Sequence, residues 1–400
     1  MDLDLARIRA DFPALSNGTA FFDSPGGTQT PQPVVDAICR SLQAPLSNRG
    51  TATEAQRNAE EIVHGARRAM ADLVGVDPAG VVFGRSATAL TFEMSRTLAH
   101  CHAWSPGDEV VVTRLDHDAN VRPWVIAAER AGATVRFADF DPESGELSPD
   151  AVAAVLTDRT RLVAVTAASN LIGTMPDVAA IASVVHGVGA LLFVDAVHYA
   201  AHGHVDLAAM GADLLVCSPY KFFGPHHGVL AAAPELLETL QPDKLLPSSN
   251  TVPERFELGT LPYELLAGTT AAVDYLAELA PTQGANRRER LATAHTQIGR
   301  HELRLRQRLE AGLDELGATR YSRARRRTST VLFSLPHRSP GEVAAHLAER
   351  GVNAPAGHFY AIETSRHLGL AERGGVRVGL ALYNDEQDVD RLLAELTEPA

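Results

Sequence analysis

The chain has 400 residues, 45% of them apolar, and carries a formal net charge of −13 at pH 7. One hydrophobic core rarely supports a chain of this length, so we predict two domains. The acidic excess argues against a nucleic-acid or anionic-membrane surface, and no apolar run is long enough to span a bilayer. Three widely spaced cysteines and a charged N-terminus without an apolar segment predict a cytoplasmic protein without disulfides.

Short apolar runs alternate with helical patterns over residues 21–280. A helix is predicted for residues 54–76, where apolar side chains recur at helical spacing, and another for residues 177–189. Runs typical of buried strands occur at residues 81–84, 109–113, 134–140, 161–169, 190–197, 212–218 and 228–233. This alternation predicts an α/β fold with a mainly parallel seven-stranded sheet that helices cover on both faces.

The pattern changes after a polar stretch at residues 281–295. Strands are predicted for residues 329–336 and 376–383, and helices for residues 341–351 and 386–396. We therefore predict a large domain at residues 21–284 and a smaller α+β domain formed by residues 1–20 and 285–400. The basic run at residues 323–327 is predicted to be a solvated loop, because five arginine-rich residues in an acidic chain do not make a nucleic-acid surface.

Polar side chains follow several of the predicted strands. Ligands of open α/β sheets bind beyond the carboxyl ends of the strands, so these residues are candidates for a site. The small-residue turn at residues 85–90 opens a helix, whose free N–H groups suit a phosphate. The side chains that follow the other strands are His117, Asn170, Asp195, His198, Ser218 and Lys221.

Lysine is rare in this chain. Only two of its 36 basic lysine and arginine residues are lysines, Lys221 and Lys244. A lysine forms a Schiff base with an aldehyde, a carboxylate keeps a pyridine nitrogen protonated, and an imidazole can lie flat on the ring. Together with a phosphate turn, these groups predict a pyridoxal 5′-phosphate (PLP) site. No metal is predicted, because the histidines at 198, 202 and 204 have no further ligands nearby in the sequence.

Eight segments resemble, in order, the class V aminotransferases of fold type I. This family includes cysteine desulfurases, selenocysteine lyases, kynureninases and isopenicillin N epimerases. The resemblance covers nearly the whole chain and implies the fold of a fold type I PLP-dependent transferase. The matching segments are DSPGGTQTP, SATA, LDHDANVRPW, SNLIGT, VDAVH, SPYKFFGPHHG, RFELGT and VRVGLALYN.

The resemblance implies roles around the cofactor. Lys221 would form the Schiff base and move the proton at Cα, Asp195 would pair with the pyridinium nitrogen, and His117 would stack on the ring. Simpler roles are the alternatives, in which Asp195 only caps a helix and His117 only caps a turn. The other implied cofactor contacts are Ala87, Thr88, Asn170, His198, Ser218 and Tyr220.

The resemblance also implies a homodimer with shared active sites, in which Thr260 reaches the phosphate of the other subunit. Arg377 would hold the α-carboxylate of an amino-acid substrate by a bidentate pair, although a structural ion pair is the alternative. Other implied substrate contacts lie in the polar entrance segment at residues 47–55 and in the loop at residues 353–363. They are Asn48, Arg49, Thr51, His358 and Tyr360.

The loop at residues 353–363 departs from the desulfurase pattern. A desulfurase needs a thiol there to accept sulfur, whereas this loop has no cysteine and Tyr360 stands near that position. We therefore expect a carbon–sulfur β-lyase that acts on an S-substituted L-cysteine, through an external aldimine and Cα deprotonation by Lys221. The alternatives are a decarboxylating deaminase, an aminotransferase or an epimerase acting on a conjugated amino acid, as in antibiotic biosynthesis, or a PLP-binding protein without catalysis.

Overall fold

The computed structural model describes residues 3–280 and 283–397. The strands in the described residues are β1 (Ala20–Phe21), β2 (Val81–Gly84), β3 (Glu109–Thr113), β4 (Thr134–Ala138), β5 (Thr160–Thr166), β6 (Leu191–Asp195), β7 (Leu214–Cys217), β8 (Gly228–Ala232), β9 (Thr319–Arg320), β10 (Thr330–Ser334), β11 (Val352–Asn353), β12 (Ala356–Gly357) and β13 (Gly375–Gly379).

The helices are of very different lengths, and none in the described residues is long and apolar enough to cross a membrane. They are α1 (Leu5–Ala10), α2 (Gln32–Gln43), α3 (Glu54–Val74), α4 (Ala87–Cys101), α5 (Arg122–Ala131), α6 (Pro149–Ala153), α7 (Val178–Gly187), α8 (Leu207–Met210), α9 (Pro234–Glu238), α10 (Tyr263–Glu278), α11 (Arg287–Glu315), α12 (Pro340–Glu349), α13 (Ile362–His367) and α14 (Glu386–Thr397).

The large sheet has seven strands in the order β2-β8-β7-β6-β5-β3-β4. Strand β8 runs antiparallel to both of its neighbours, and all other pairs are parallel. The mainly parallel seven-stranded sheet is therefore confirmed. Strands β5 and β6 end at Thr166 and Asp195, a few residues before their apolar runs end, because the residues beyond leave the ladder to form loops.

A second sheet of four antiparallel strands, β12-β13-β10-β9, lies in the C-terminal part of the chain. The parallel pair of β1 and β11 joins the N-terminal segment to this part. The N-terminal segment also contacts both parts of the chain, because the Phe12 ring makes edge contacts with the rings of Tyr275 on α10, Phe223 after β7 and Tyr383 after β13. The exact domain boundaries stay a prediction.

The basic run is only partly a solvated loop. Arg323, Arg325 and Arg326 are exposed, as expected. The side chain of Arg327 is largely buried, and its Nη1 lies 2.6 Å from Glu310 on α11. The prediction is wrong for Arg327 because a carboxylate on a distant helix supplies the partner that lets this guanidinium leave water.

A buried ion pair fixes α3 to the large sheet. Arg67 on α3 donates to both carboxylate oxygens of Glu257, at 2.9 and 2.7 Å, and both side chains are 4% exposed. Glu257 also accepts the Phe83 N–H of β2 at 3.0 Å. Glu257 therefore anchors the segment that leads to Thr260, one of the predicted cofactor contacts.

Glu257→Ala should lower the free energy of unfolding by about 3–5 kcal/mol, because it removes the bidentate partner of the buried Arg67 charge and leaves Glu254, 3.5 Å away, as its remaining carboxylate. The matched control is Asp390→Ala, which breaks the pair with Arg308, in which both side chains are about half exposed. That control should cost about 0–1 kcal/mol. Denaturant unfolding of the three proteins measures the difference, and equal losses would contradict the assignment.

Candidate active site

A cavity of about 700 Å³ opens at the carboxyl ends of the parallel strands. His117 follows β3, Asn170 follows β5, Asp195 ends β6, and Lys221 follows β7. All four residues line the cavity. The strand ends therefore meet where the sequence predicts, because neighbouring parallel strands direct their carboxyl ends to one edge of the sheet.

Lys221 lies in a tight turn directly after β7 and is 8% exposed. Its Nζ donates a hydrogen bond to the Pro25 carbonyl. Burial, together with the nearby positive charge of Arg377, lowers the pKa of Lys221 to about 7. A large fraction of this amine is therefore neutral near pH 7, the form that attacks a carbonyl and accepts a proton.

Asp195 is buried at the end of β6. Its Oδ1 accepts the Val197 N–H at 2.8 Å. Burial raises the pKa of Asp195 to about 6, while Lys221 opposes that rise. A cationic ring nitrogen next to Asp195 would supply a counter-charge for a carboxylate that is otherwise costly to ionise.

His117 is held by the turn that it begins. Its Nδ1 accepts the Ala119 N–H at 3.0 Å, so the turn-capping role does occur. Burial, and then the charge of Lys221, lower the pKa of His117 to about 4, which keeps the imidazole neutral. The ring also lines the cavity, and the geometry therefore leaves both the capping and the stacking role possible.

Asp116 stabilises the segment that carries His117, and it was not among the residues predicted from the sequence. It is fully buried, accepts hydrogen bonds from the Thr113 hydroxyl and, at 2.7 Å, from Asn120 Nδ2. Burial raises the pKa of Asp116 to about 8. The signal in the sequence was a carboxyl directly after a buried strand, next to the more conspicuous His117.

The predicted phosphate turn starts α4. Ser86 caps the helix by accepting the Ala89 N–H at 3.1 Å, and the first-turn residues Ala87 and Thr88 line the cavity. N–H groups in a first helical turn have no acceptor within the helix, and they favour an anion. Ser218 and Tyr220 line the same cavity.

PLP fits this set of groups. A helix N-terminus suits its phosphate, Lys221 suits its aldehyde and Asp195 suits its ring nitrogen. Asn170 adds an independent sign, because its Oδ1 is buried without a hydrogen-bond partner while its Nδ2 donates to the Phe359 carbonyl at 3.0 Å. A buried polar atom without a protein partner indicates a ligand or water at that place.

Arg377 is less free than the sequence suggested. The guanidinium is 1% exposed, donates to the Asp23 carboxylate and, at 3.1 Å, to the Asn170 carbonyl, and lies 3.6 Å from the centre of the Phe359 ring. The structural ion pair is therefore present. Binding of a substrate carboxylate by Arg377 stays a prediction, and it requires Asp23 to give up its place. Asp23 also lines the cavity and was missed in the sequence.

Two consecutive aromatic residues that line the cavity have a strained backbone conformation. Phe359 and Tyr360 have φ angles of 50° and 61°, in the left-handed region that side chains other than glycine rarely adopt. Hydrogen bonds from Asn170 Nδ2 to the Phe359 carbonyl and from the Asp118 N–H to the Tyr360 carbonyl, at 3.0 and 2.8 Å, hold them there. The Tyr360 ring is 5.6 Å from that of His117 and Tyr360 is 71% exposed.

Five predicted residues do not line the cavity of this subunit. Asn48, Thr51 and Thr260 are exposed to solvent. Arg49 is ion-paired with Glu60 and Glu254, at 2.7 and 3.3 Å, and His358 lies 3.9 Å from Glu372. Their roles stay predictions, and the role of Thr260 requires a second subunit.

No group of three or more metal-ligating side chains occurs in residues 3–280 and 283–397. Two of the three histidines considered as metal ligands have protein partners instead. His198 lines the cavity and its Nε2 lies 3.2 and 3.0 Å from the hydroxyls of Thr328 and Thr330. His202 is paired with Glu302.

The family model described as aminotransferase class-V matches residues 20–392. An uncharacterised protein of Mycobacterium tuberculosis is 33% identical over 400 residues, which cover 99% of each chain. An aminotransferase-like protein of Gibberella zeae is 30% identical, covering 98% of this chain and 97% of its own. The apo structure of a cysteine desulfurase from Thermococcus onnurineus NA1 has a TM-score of 0.89 and 26% identity, over 99% of this chain and 98% of that one.

These matches confirm the family resemblance and the fold type I architecture. Members of the family are enzymes that use PLP, which confirms the cofactor predicted from the sequence. The assignment of individual residues around that cofactor stays a prediction from the geometry described above.

Lys221→Ala should abolish the visible absorption band of bound PLP, because Lys244 cannot replace the missing amine. The matched control is Lys244→Ala, which removes the other lysine, whose Nζ donates to the Ser248 carbonyl away from the cavity. Borohydride reduction of the loaded protein, followed by peptide mass spectrometry, should find the cofactor on Lys221. A label on Lys244, or a band that survives in Lys221→Ala, would contradict this assignment.

Gly228→Ala should weaken PLP binding roughly tenfold or more, equivalent to about 1.4 kcal/mol. A Cβ at Gly228 would overlap with the Ser86–Ala87 peptide and so displace the phosphate turn. Gly187→Ala is the matched control, since a Cβ there meets no atom within 4 Å. Fluorescence titration of the apo proteins measures both affinities. Equal affinities would show that the turn at Ser86 does not hold the phosphate.

Proposed function

Because the chain belongs to the class V aminotransferase family, we propose that it is a PLP-dependent carbon–sulfur β-lyase acting on an S-substituted L-cysteine. One observation carries the choice between release of the sulfur and its transfer to the protein. Phe359 and Tyr360 line the cavity where a sulfur-accepting enzyme of the family requires a thiol.

The three cysteines support this choice by their positions. Cys39 is exposed on α2, Cys101 ends α4, and Cys217 is buried in β7. None of them is among the described residues that line the cavity. Burial raises the pKa of the Cys217 thiol, which keeps it protonated and unreactive. Transfer of sulfur to the protein as a persulfide is therefore disfavoured, whereas release of a thiol to solvent needs no cysteine.

Bound PLP supplies an electron sink for the carbon that carries the substrate amine. Lys221 provides the base, since an amine with a pKa of about 7 can take the Cα proton near neutral pH. Loss of that proton lets the Cβ–S bond break, and its electron pair leaves with the sulfur as a thiolate. Water then completes the conversion of the remaining three carbons to pyruvate and ammonia.

The substrate carboxylate is proposed to take the place of Asp23 on Arg377. The two carboxylates would then be alternatives for one guanidinium, since the other Arg377 contacts are a carbonyl and an aromatic face. The S-substituent would extend toward the part of the cavity lined by Phe92, Tyr360 and Arg122. The two aromatic side chains offer apolar surface there, and Arg122 offers a positive charge. This arrangement suits a conjugate larger than cysteine itself, such as a natural-product scaffold carried on sulfur.

We also propose a cytoplasmic homodimer with shared sites, in which Thr260 completes the partner's phosphate site. Leu258, next to this segment, is exposed, as are Leu245 and Leu246. Large apolar side chains on a surface are common where subunits meet. Their exposure in the single chain supports the proposal.

S-ethyl-L-cysteine and S-benzyl-L-cysteine should yield pyruvate, ammonia and the free thiol in equal amounts. The variant Cys39→Ser/Cys101→Ser/Cys217→Ala should keep this activity, and Lys221→Ala should lose it by roughly 10²–10⁴-fold or more because the base is gone. Pyruvate and thiol assays measure the outcome.

Other products would contradict the lyase proposal and would identify one of the alternative reactions. Carbon dioxide with an aldehyde would indicate a decarboxylating deaminase. A keto acid formed only with an amino-group acceptor would indicate an aminotransferase, and racemised substrate an epimerase. Formation of alanine, together with a persulfide on one of the protein's own cysteines, would indicate a desulfurase.

A further inference from the structure

A buried imidazole–carboxylate pair lies behind the active-site cavity and has no part in the chemistry proposed above. His202 Nδ1 is 2.7 Å from Glu302 Oε2, and both side chains are almost fully buried. Glu302 lies on α11, the longest helix of the described chain, 100 residues from His202 in sequence. Burying such a pair is costly, and stability alone is a weak reason for keeping it.

The pair contacts a residue that lines the cavity. The rings of His202 and His198 are 4.7 Å apart at an angle of 66°, an edge-to-face contact. His202 Nε2 is buried and has no hydrogen-bond partner in the described structure. His202 therefore has one nitrogen fixed by Glu302, and its ring packs against His198.

A second residue of α11 holds the backbone of a residue that contacts His198. Arg306 lies one turn after Glu302 and donates from Nη1 to the carbonyls of Arg327 and Thr328, at 2.8 and 2.7 Å. The Thr328 hydroxyl is one of the two that contact His198 Nε2. One face of α11 therefore reaches His198 by two routes, through His202 and through Thr328.

We propose that Glu302 is a positioning residue that acts through His202 to fix His198 against the cofactor, so that α11 sets the proton affinity of the nitrogen joining Lys221 to PLP. This inference deepens the proposed function and rests on it only in that PLP occupies the cavity. It does not depend on which bond of the substrate breaks.

The surroundings favour a fixed, uncharged His198. Burial first, and then the nearby His202, Lys221 and Arg377 side chains, hold the pKa of His198 well below its usual range. His198 therefore acts as a hydrogen-bonding group and not as a charge, and its effect on the cofactor depends on its orientation. The titratable and charged groups that face this unit are Lys221, Arg377, His295, His301, Arg306 and Tyr383.

The test is a pH titration of the visible absorption band in the PLP-loaded proteins. Glu302→Gln and His202→Phe should each move the midpoint by about 0.5 pH unit or more, in the same direction as His198→Ala. In a His198→Ala background, Glu302→Gln should add no further shift. The matched control is Asp108→Asn, which removes a buried carboxylate just before β3, where Asp108 pairs with Arg159 and Arg161. It should leave the midpoint within about 0.2 pH unit.

Unchanged midpoints would overturn the proposal. A shift that persists in the His198→Ala background would also overturn it, because Glu302 would then act by its charge and not through His198. If Glu302→Gln fails to fold, His202→Phe with and without His198→Ala gives the same decision. A wild-type protein without a visible band would defeat the cofactor assignment itself, whereas a normal band with unmoved midpoints defeats this inference alone.

Discussion

The removal of charged groups from water around one cavity is the constraint on which the site depends. Lys221, Asp195 and Arg377 are each buried, and burial is the first cause of each shifted pKa. A lysine amine near pKa 7 and a carboxyl near pKa 6 are both poised to change protonation state on meeting a ligand of opposite charge. PLP offers a cationic ring nitrogen to Asp195 and an anionic phosphate to the first turn of α4, and both places line the cavity.

The parallel sheet makes that burial possible. Strands β3, β5, β6 and β7 are adjacent, so the residues that follow them converge without a long loop between them. The one antiparallel strand of the large sheet, β8, begins at Gly228. Because glycine has no side chain, this position leaves room for the phosphate turn at Ser86. Phe359, Tyr360 and Arg377 of the C-terminal part line the same cavity, and Arg377 lies on strand β13.

Much of this arrangement was readable from the sequence, because apolar runs locate buried strands and strand ends locate ligands. The scarcity of lysine singled out Lys221. The pairs Asp23–Arg377 and His202–Glu302 could not be predicted, since their partners are 354 and 100 residues apart and only tertiary packing brings them together. The left-handed backbone at Phe359 and Tyr360 gave no signal either, because neither residue is a glycine.

The absence of a thiol among the described residues that line the cavity disfavours transfer of sulfur to the protein, and the reaction that we propose releases the sulfur as a thiol instead. The proposed reaction depends on Lys221 removing the Cα proton. The most direct measurement uses S-benzyl-L-cysteine labelled with deuterium at Cα. We expect the deuterium to be released to water as pyruvate and thiol appear, with a slower turnover than for unlabelled substrate. A deaminated or decarboxylated product that retains the deuterium would contradict it.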